Sequence, residues 1–256
     1  MDLGLKGKRA VVLGGTRGIG RAIADTLADE GCNVAICARN QDQIDAAVSE
    51  LAAKGVKASG ASVDIADGAA LKAFIEKAAG ELGGIDILVS NASALSAGNA
   101  EENWQAGFNV DVMGAQRSME AARPHLEKSA AANGDASFVI ISSVSAAETS
   151  SPNAYGAMKA ALIHMAKGFA KAGAKKHVRT NVVSPGTVYF KGGVWDMIEQ
   201  HMPDTFKEAM EKNPMGRMAS PQDIANAAVF LASPASSFTS GINMVVDGAY
   251  TSRVNF

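Results

Sequence analysis

The sequence predicts an α/β fold, a doubly wound parallel sheet of about seven strands with helices on both faces. Two observations carry this. Short runs rich in β-branched residues alternate with longer segments of helical periodicity, and most of the short runs are apolar throughout. Continuous apolar runs suit strands covered on both faces, and strand–helix alternation implies crossover units and parallel pairing. With 256 residues, 47% of them hydrophobic, the chain is long enough to bury a large core.

The elements follow in order. RAVVL (9–13) is the first strand, and the glycine-rich LGGTRGIG (13–20) leads into a helix over 18–30. NVAICA (33–38) precedes a helix over 41–54, and KASGASVD (57–64) precedes one over 68–82. DILVS (86–90) is followed by a helical pattern over 101–130, and SFVIIS (137–142) by one over 153–174. RTNVVS (179–184) and NMVVD (243–247) complete the set. The stretch 187–220 is too long for a simple connection and predicts a helical, lid-like insertion. Within it Trp195, Met197, Ile198, Met202 and Phe206 are spaced as one apolar helix face, for packing or for a substrate wall. No Pro/Ser/Gly-rich linker and no tandem repeat divides the chain, so 1–256 reads as a single domain.

Composition narrows the function. The net charge of −2 is spread along the chain, which argues against nucleic-acid or membrane-surface partners. No stretch approaches the roughly 18 apolar residues of a membrane span. The N-terminus lacks the apolar region of a signal peptide. Cys32 and Cys37 are an odd number of residues apart, which places them on opposite faces of a strand rather than in a bridge. Together these readings predict a cytoplasmic protein. The four histidines are far apart and no Cys/His cluster has metal-ligand spacing, so no metal is expected.

The chemistry concentrates in a few motifs. Gly14, Gly18 and Gly20 fall straight after the first strand and open the first helix. In such a turn the first glycine bends the chain, the second lets backbone approach a pyrophosphate, and the third packs helix on strand. Tyr155 and Lys159 are one helical turn apart and share a face. A free phenol ionises near pH 10 (pKa about 10), and an adjacent ammonium favours its anion, which makes such a pair a usable proton donor and acceptor.

Gly14-x-x-x-Gly18-Ile19-Gly20, SNAS (90–93), a serine before the 153–174 helix, Tyr155-x-x-x-Lys159 and SPG (184–186) together resemble the short-chain dehydrogenase/reductases, in their compact single-domain branch, over nearly the whole chain. The resemblance implies a Rossmann-type fold, a nicotinamide cofactor and hydride transfer at a carbonyl or alcohol carbon. It implies that Gly14, Thr16, Arg17, Gly18, Ile19 and Gly20 form the cofactor loop. Asp64 and Ile65 would flank the adenine, and Asn91 and Ala92 belong to the loop after the fourth strand. Pro185, Gly186 and Val188 would lie by the carboxamide, while Lys159, with Tyr155, would reach the nicotinamide ribose.

Arg17 then has a reading. A free ribose 2′-hydroxyl is usually held by a carboxylate ending the second strand. Here that place is Ala38, followed by Arg39. Arg17 and Arg39 would bracket a 2′-phosphate, so NADP(H) is the expected cofactor.

The resemblance also implies a serine that orients the substrate oxygen. ISSVSA offers Ser142, Ser143 and Ser145. Neighbouring strand residues face opposite ways, and Ser143 fits the family pattern best. Ser142 stays open, because Ser143 precedes Tyr155 by twelve residues, one fewer than the family leads one to expect. Several positions depart from the pattern: Leu13, Ser90, Ser93, Phe190 where a threonine is usual, and Asp111 where the family has a relay asparagine whose backbone oxygen holds water. Asn109 is a competing candidate two residues back. An ionised Asp111 near Lys159 would weaken the ammonium's pull on Tyr155; a protonated one would not.

The expected catalytic set is Asp111, Ser143, Tyr155 and Lys159. The expected activity is NADPH-dependent reduction of a ketone or oxo substrate to a secondary alcohol, run reversibly. The alternatives are an NAD-dependent sugar, polyol or secondary-alcohol dehydrogenase, or a non-catalytic NADPH-binding module. A small-molecule carbonyl or alcohol is the partner, and a homotetramer is implied by the resemblance.

Overall fold

The computed structural model describes residues 1–149 and 151–254; residues 150, 255 and 256, which the 1–256 reading includes, lie outside the described part. β1 (Arg9–Leu13) pairs β2 (Asn33–Ala38) on one side and β4 (Ile87–Ser90) on the other, and β2 carries β3 (Ala58–Ser62). Beyond β4 come β5 (Ala136–Ile141), β6 (Val178–Pro185) and β7 (Asn243–Val246). The result is one seven-stranded parallel sheet in the order β3-β2-β1-β4-β5-β6-β7. The chain winds outward from β1 to β3, then returns to the far side of β1. That reversal opens a crevice at the C-terminal ends of β1 and β4, where ligands bind in such sheets.

Strand residues alternate between two cores. Val11, Leu13, Cys37, Leu88, Phe138 and Ile140 pack with α3 (Gly68–Leu82), α5 (Met113–Asn133) and α6 (Ala154–Gly173). Val12, Ile36, Val89, Val139 and Val183 pack with α1 (Gly18–Asp29), α2 (Gln41–Ala52) and α9 (Pro221–Ala232). Cys32 and Cys37 fall in different cores, both unbridged and buried. Burial pushes both thiols up to about 12, which leaves them protonated packing groups. Among the described residues no helix is long and apolar enough to cross a membrane.

Two predicted elements are corrected. The 101–130 pattern is not one regular helix: α4 (Glu101–Gly107) runs into a π-helical turn, Phe108–Val112, before α5 begins at Met113. The wider turn carries one extra residue and brings Asp111 inside, 3% exposed, while Asn109 stays at the surface. The 187–220 stretch holds two helices, α7 (Val194–His201) and α8 (Pro203–Glu211). They break where Met202 takes φ −141° and Pro203 opens the second helix. The five apolar residues therefore do not share one helix face. Trp195, Ile198 and Phe206 are half-buried, with Trp195 and Tyr189 edge-on to Phe206, whereas Met197 and Met202 are 56% and 49% exposed. The excursion's two ends are stitched together where Ala219 N–H donates to Thr187 and Tyr189 N–H to Ala219, each at 2.9 Å.

At the opposite edge from the crevice, two arginines tie strands to helices. Arg179, 4% exposed at the start of β6, pairs Asp135 and donates to the carbonyls of Leu231 (2.7 Å) and Ser233 (3.0 Å), satisfying the end of α9. Arg9 binds Asp86, which is 2% exposed, through Nε (2.7 Å), Nη2 (2.8 Å) and its backbone N–H (2.8 Å), clamping β1 to β4. Burial alone would raise the Asp86 carboxyl, but the Arg9 bonds outweigh it and hold it below its ordinary range. A carboxyl lowered in the folded state adds stability above about pH 4, and that increment is lost as pH falls through the lower folded value. Asp86→Asn should cost about 3 kcal/mol at pH 7 by urea denaturation, the gap to the native protein narrowing below about pH 4. A gap that stays constant into acid would refute the ionic clamp.

Candidate active site

The parallel sheet puts the ends of all strands on one edge, so the predicted residues converge there although they are scattered in sequence. Gly14 follows β1 at φ +78° and Gly18 opens α1 at φ +56°, the left-handed region that only glycine enters freely. Asn91, just after β4, donates Nδ2–H to the Gly14 carbonyl at 3.0 Å. A Cβ on Gly20 would collide with that carbonyl oxygen, so only glycine lets α1 sit this close to the turn. No side chain caps α1, and its first-turn N–H groups face the crevice, a geometry suited to phosphate.

The other predicted cofactor residues lie in this turn or just past the ends of β2, β3, β4 and β6. Arg17 and Arg39 are both exposed and form no ion pair among the described residues. Thr16 lies 3.5 Å from Gln43, and Ile19 packs on the α1-side core. Asp64 is exposed, while Ile65 is buried against Gly114, where a Cβ would come within 2.5 Å of it. Ala92 lies beside Gly14. Pro185 ends β6, Gly186 lies against Asp247, and Val188 bridges Ala219.

Tyr155 and Lys159 occupy the start of α6, capped by Asn153, whose side chain accepts from Gly156 N–H at 2.8 Å. Lys159 Nζ lies 5.5 Å from the centre of the Tyr155 ring, donates to the Ile141 carbonyl at 3.2 Å and sits 2.9 Å from Asp111 Oδ1. Tyr155 is half-buried and Lys159 only 2% exposed. β5 stops at Ile141, so the alternation argument does not reach the serines, and both are buried. Their hydroxyls differ instead in their partners. Ser142 Oγ–H donates to the Lys159 carbonyl at 2.8 Å, inside the fold. Ser143 Oγ accepts from Ser145 N–H at 3.1 Å and lines a small cavity with Val144 and Ile163, and among the described residues no acceptor takes its proton. A Cβ on Gly156 would lie 2.6 Å from the Ser145 carbonyl, so α6 is pressed against this serine turn. Among the described residues no group of acids, histidines and cysteines could hold a metal.

Residues 14–251 match the family model described as Enoyl-(Acyl carrier protein) reductase. Isoepoxydon dehydrogenase patN of Penicillium expansum is 39% identical over 253 residues, 97% of this chain and 96% of that one. The chain belongs to the short-chain dehydrogenase/reductase family. Its structural likeness agrees. L-Sorbose reductase from Gluconobacter frateurii, complexed with NADPH and L-sorbose, superposes with TM-score 0.89 at 30% identity, covering 99% of this chain and 100% of that one. 7α-Hydroxysteroid dehydrogenase, complexed with NADH and 7-oxo glycochenodeoxycholic acid, gives TM-score 0.89 at 30% identity, covering 99% and 98%. As a short-chain dehydrogenase/reductase the protein is an oxidoreductase of alcohol and oxo groups, a family that uses nicotinamide cofactors.

Three features of this family member escaped the sequence. The Ile141 carbonyl and the Ala94 N–H, which donates to Asp111 Oδ2 at 2.9 Å, are backbone groups with no residue-type signal. Phe190, noted only as a departure, inserts its ring between two glycines: a Cβ on Gly18 would meet it at 2.5 Å and one on Gly193 at 2.8 Å. The base of the 187–220 segment thus rests on the glycine loop. Tyr189 beside it donates its one phenolic proton chiefly to Glu199 (2.5 Å), with Asp196 3.2 Å from the same oxygen. Those bonds, Glu199 foremost, push the phenol up to about 12, so it remains a donor.

Ser142→Ala should lower stability by about 1 kcal/mol in urea denaturation, and Ser143→Ala by no more than about 0.5 kcal/mol, because only Ser142 holds an interior carbonyl. The opposite ranking would make Ser143 the structural serine.

Proposed function

We propose that this protein is an NADPH-dependent reductase of a ketone or oxo group, yielding a secondary alcohol and running reversibly. The observation that carries the reading is Lys159 buried beside the half-exposed Tyr155, with the nearby Ser143 hydroxyl given no acceptor among the described residues. A nicotinamide dinucleotide fits the residues present, since the glycine turn leaves no room for side chains and α1 offers open N–H groups. Bound, it supplies the hydride in reduction and takes it up in oxidation. Tyr155 gives its phenolic proton to the substrate oxygen in reduction and takes a proton back in oxidation. Ser143 hydrogen-bonds that oxygen and orients it, and Lys159 supports Tyr155 and holds the cofactor ribose.

Cofactor choice rests on Arg17 and Arg39, both exposed and unpaired in the described residues, and on the absence of a carboxylate at Ala38. The substrate is a small molecule, and the segment over 187–220 serves as its lid. The ligands and names of the relatives, L-sorbose, a 7-oxo bile acid and isoepoxydon, support a carbonyl or secondary alcohol as the reacting group. The single domain works in a reducing cytoplasm, in keeping with two unbridged buried thiols. It assembles as a homotetramer through the outer faces of α5 and α6, the latter exposing Ala157, Ala161 and Gly168.

NADPH consumption at 340 nm with a panel of ketones should show turnover in the native protein. Tyr155→Phe should bind NADPH nearly normally yet lose about 100-fold or more in kcat. A variant that keeps most of its turnover would remove Tyr155 from the chemistry. NADPH should exceed NADH in kcat/KM by about tenfold or more, and Arg39→Asp should reverse much of that ratio. Equal use of the two cofactors by the native protein would defeat the arginine reading and favour an NAD-dependent dehydrogenase.

A further inference from the structure

Asp111 and Lys159 are 3% and 2% exposed, and a charge at that depth is costly unless compensated. The carboxylate reaches two elements at once. Oδ1 stands 2.9 Å from Lys159 Nζ on α6, and Oδ2 accepts the Ala94 N–H at 2.9 Å from the loop after β4. Oδ1 makes no aligned hydrogen bond, so its contribution to the ammonium is charge at contact distance. The ammonium's own directed bond goes to the Ile141 carbonyl at 3.2 Å. The same loop is fixed a second time where Ala154 N–H, at the start of α6, donates to the Gly98 carbonyl at 2.9 Å.

We propose that Asp111 is a positioning residue whose single carboxylate ties the loop after β4 to Lys159 and offsets the positive charge that Lys159 directs at Tyr155. This rests on Tyr155 being the proton donor and deepens that reading. The charged and titratable groups facing the carboxylate are Lys159 and, behind it, Tyr155, both from α6; the loop after β4 contributes a backbone N–H, and Asn109 on the same π-helical turn points to solvent. A lone ammonium 5.5 Å from the ring would draw the phenol strongly toward its anion. An ammonium in contact with a carboxylate acts as a dipole, and its pull is smaller. Asp111 therefore moderates the charge that Lys159 presents to Tyr155 while holding Lys159 in place.

Asp111→Asn is nearly isosteric; with its amide oxygen on Ala94 N–H it turns an NH2 toward Lys159, so it removes the charge and the acceptor on that side together. Phenolate absorbance near 295 nm can be titrated without any substrate. The chain has three tyrosines, and the Tyr155 contribution is the difference between parent and Tyr155→Phe variants. In the Asp111→Asn background that contribution should rise about one pH unit lower than in the native one. An unchanged or higher midpoint would overturn the offset. Turnover retained by Tyr155→Phe would overturn the proposed reaction instead, so the two failures are distinguishable. Melting temperatures give a second reading that does not require the single Asp111 variant to fold. Lys159→Met alone strands a buried carboxylate, and adding Asp111→Asn should recover part of its loss. A double variant no more stable than Lys159→Met would show that the two charges do not support one another.

Discussion

A buried ammonium is the constraint around which the catalytic half of this molecule is organised. Lys159 is 2% exposed, and its charge must be met by neighbours because water cannot reach it. The end of β5 supplies the Ile141 carbonyl, the π-helical turn supplies Asp111, and the loop after β4 steadies Asp111 through Ala94. Ser142, one residue past β5, holds the backbone of Lys159 itself. These groups come from two successive crossover units, β4 to β5 and β5 to β6. The sheet must therefore be assembled before the charge is satisfied, which makes Lys159 both a product of the fold and a check on it.

What the sequence revealed and what it hid divide along a physical line. Fold class, strand identities and the two-core separation of Cys32 and Cys37 were legible because burial on both faces writes itself into unbroken apolar runs. The glycine turn was legible because close backbone approach admits only one residue type. The π-helical turn was not, since a single inserted residue per turn leaves the apolar spacing of 101–130 nearly unchanged. The break at Met202 had a signal in Pro203, but the apolar residues on either side imitated one face. Strand alternation cannot choose between Ser142 and Ser143, because the strand ends before either residue. Partners made through backbone atoms, at Ile141 and Ala94, leave no trace in residue type.

The molecule also divides into a fixed half and an adjustable one. Around Lys159 the polar groups are held by partners from packed elements, as hydride transfer requires of groups that must stay in place. The 187–220 segment differs. Its base is keyed to the glycine loop by Phe190 and its turn is held by Tyr189, but Val194, Met197 and Met202 stand 43%, 56% and 49% exposed. Apolar side chains in that position can change without disturbing either core. Proteins named for isoepoxydon, L-sorbose and a steroid share this family or sheet, so a phenol beside a buried ammonium does not by itself spell out a substrate.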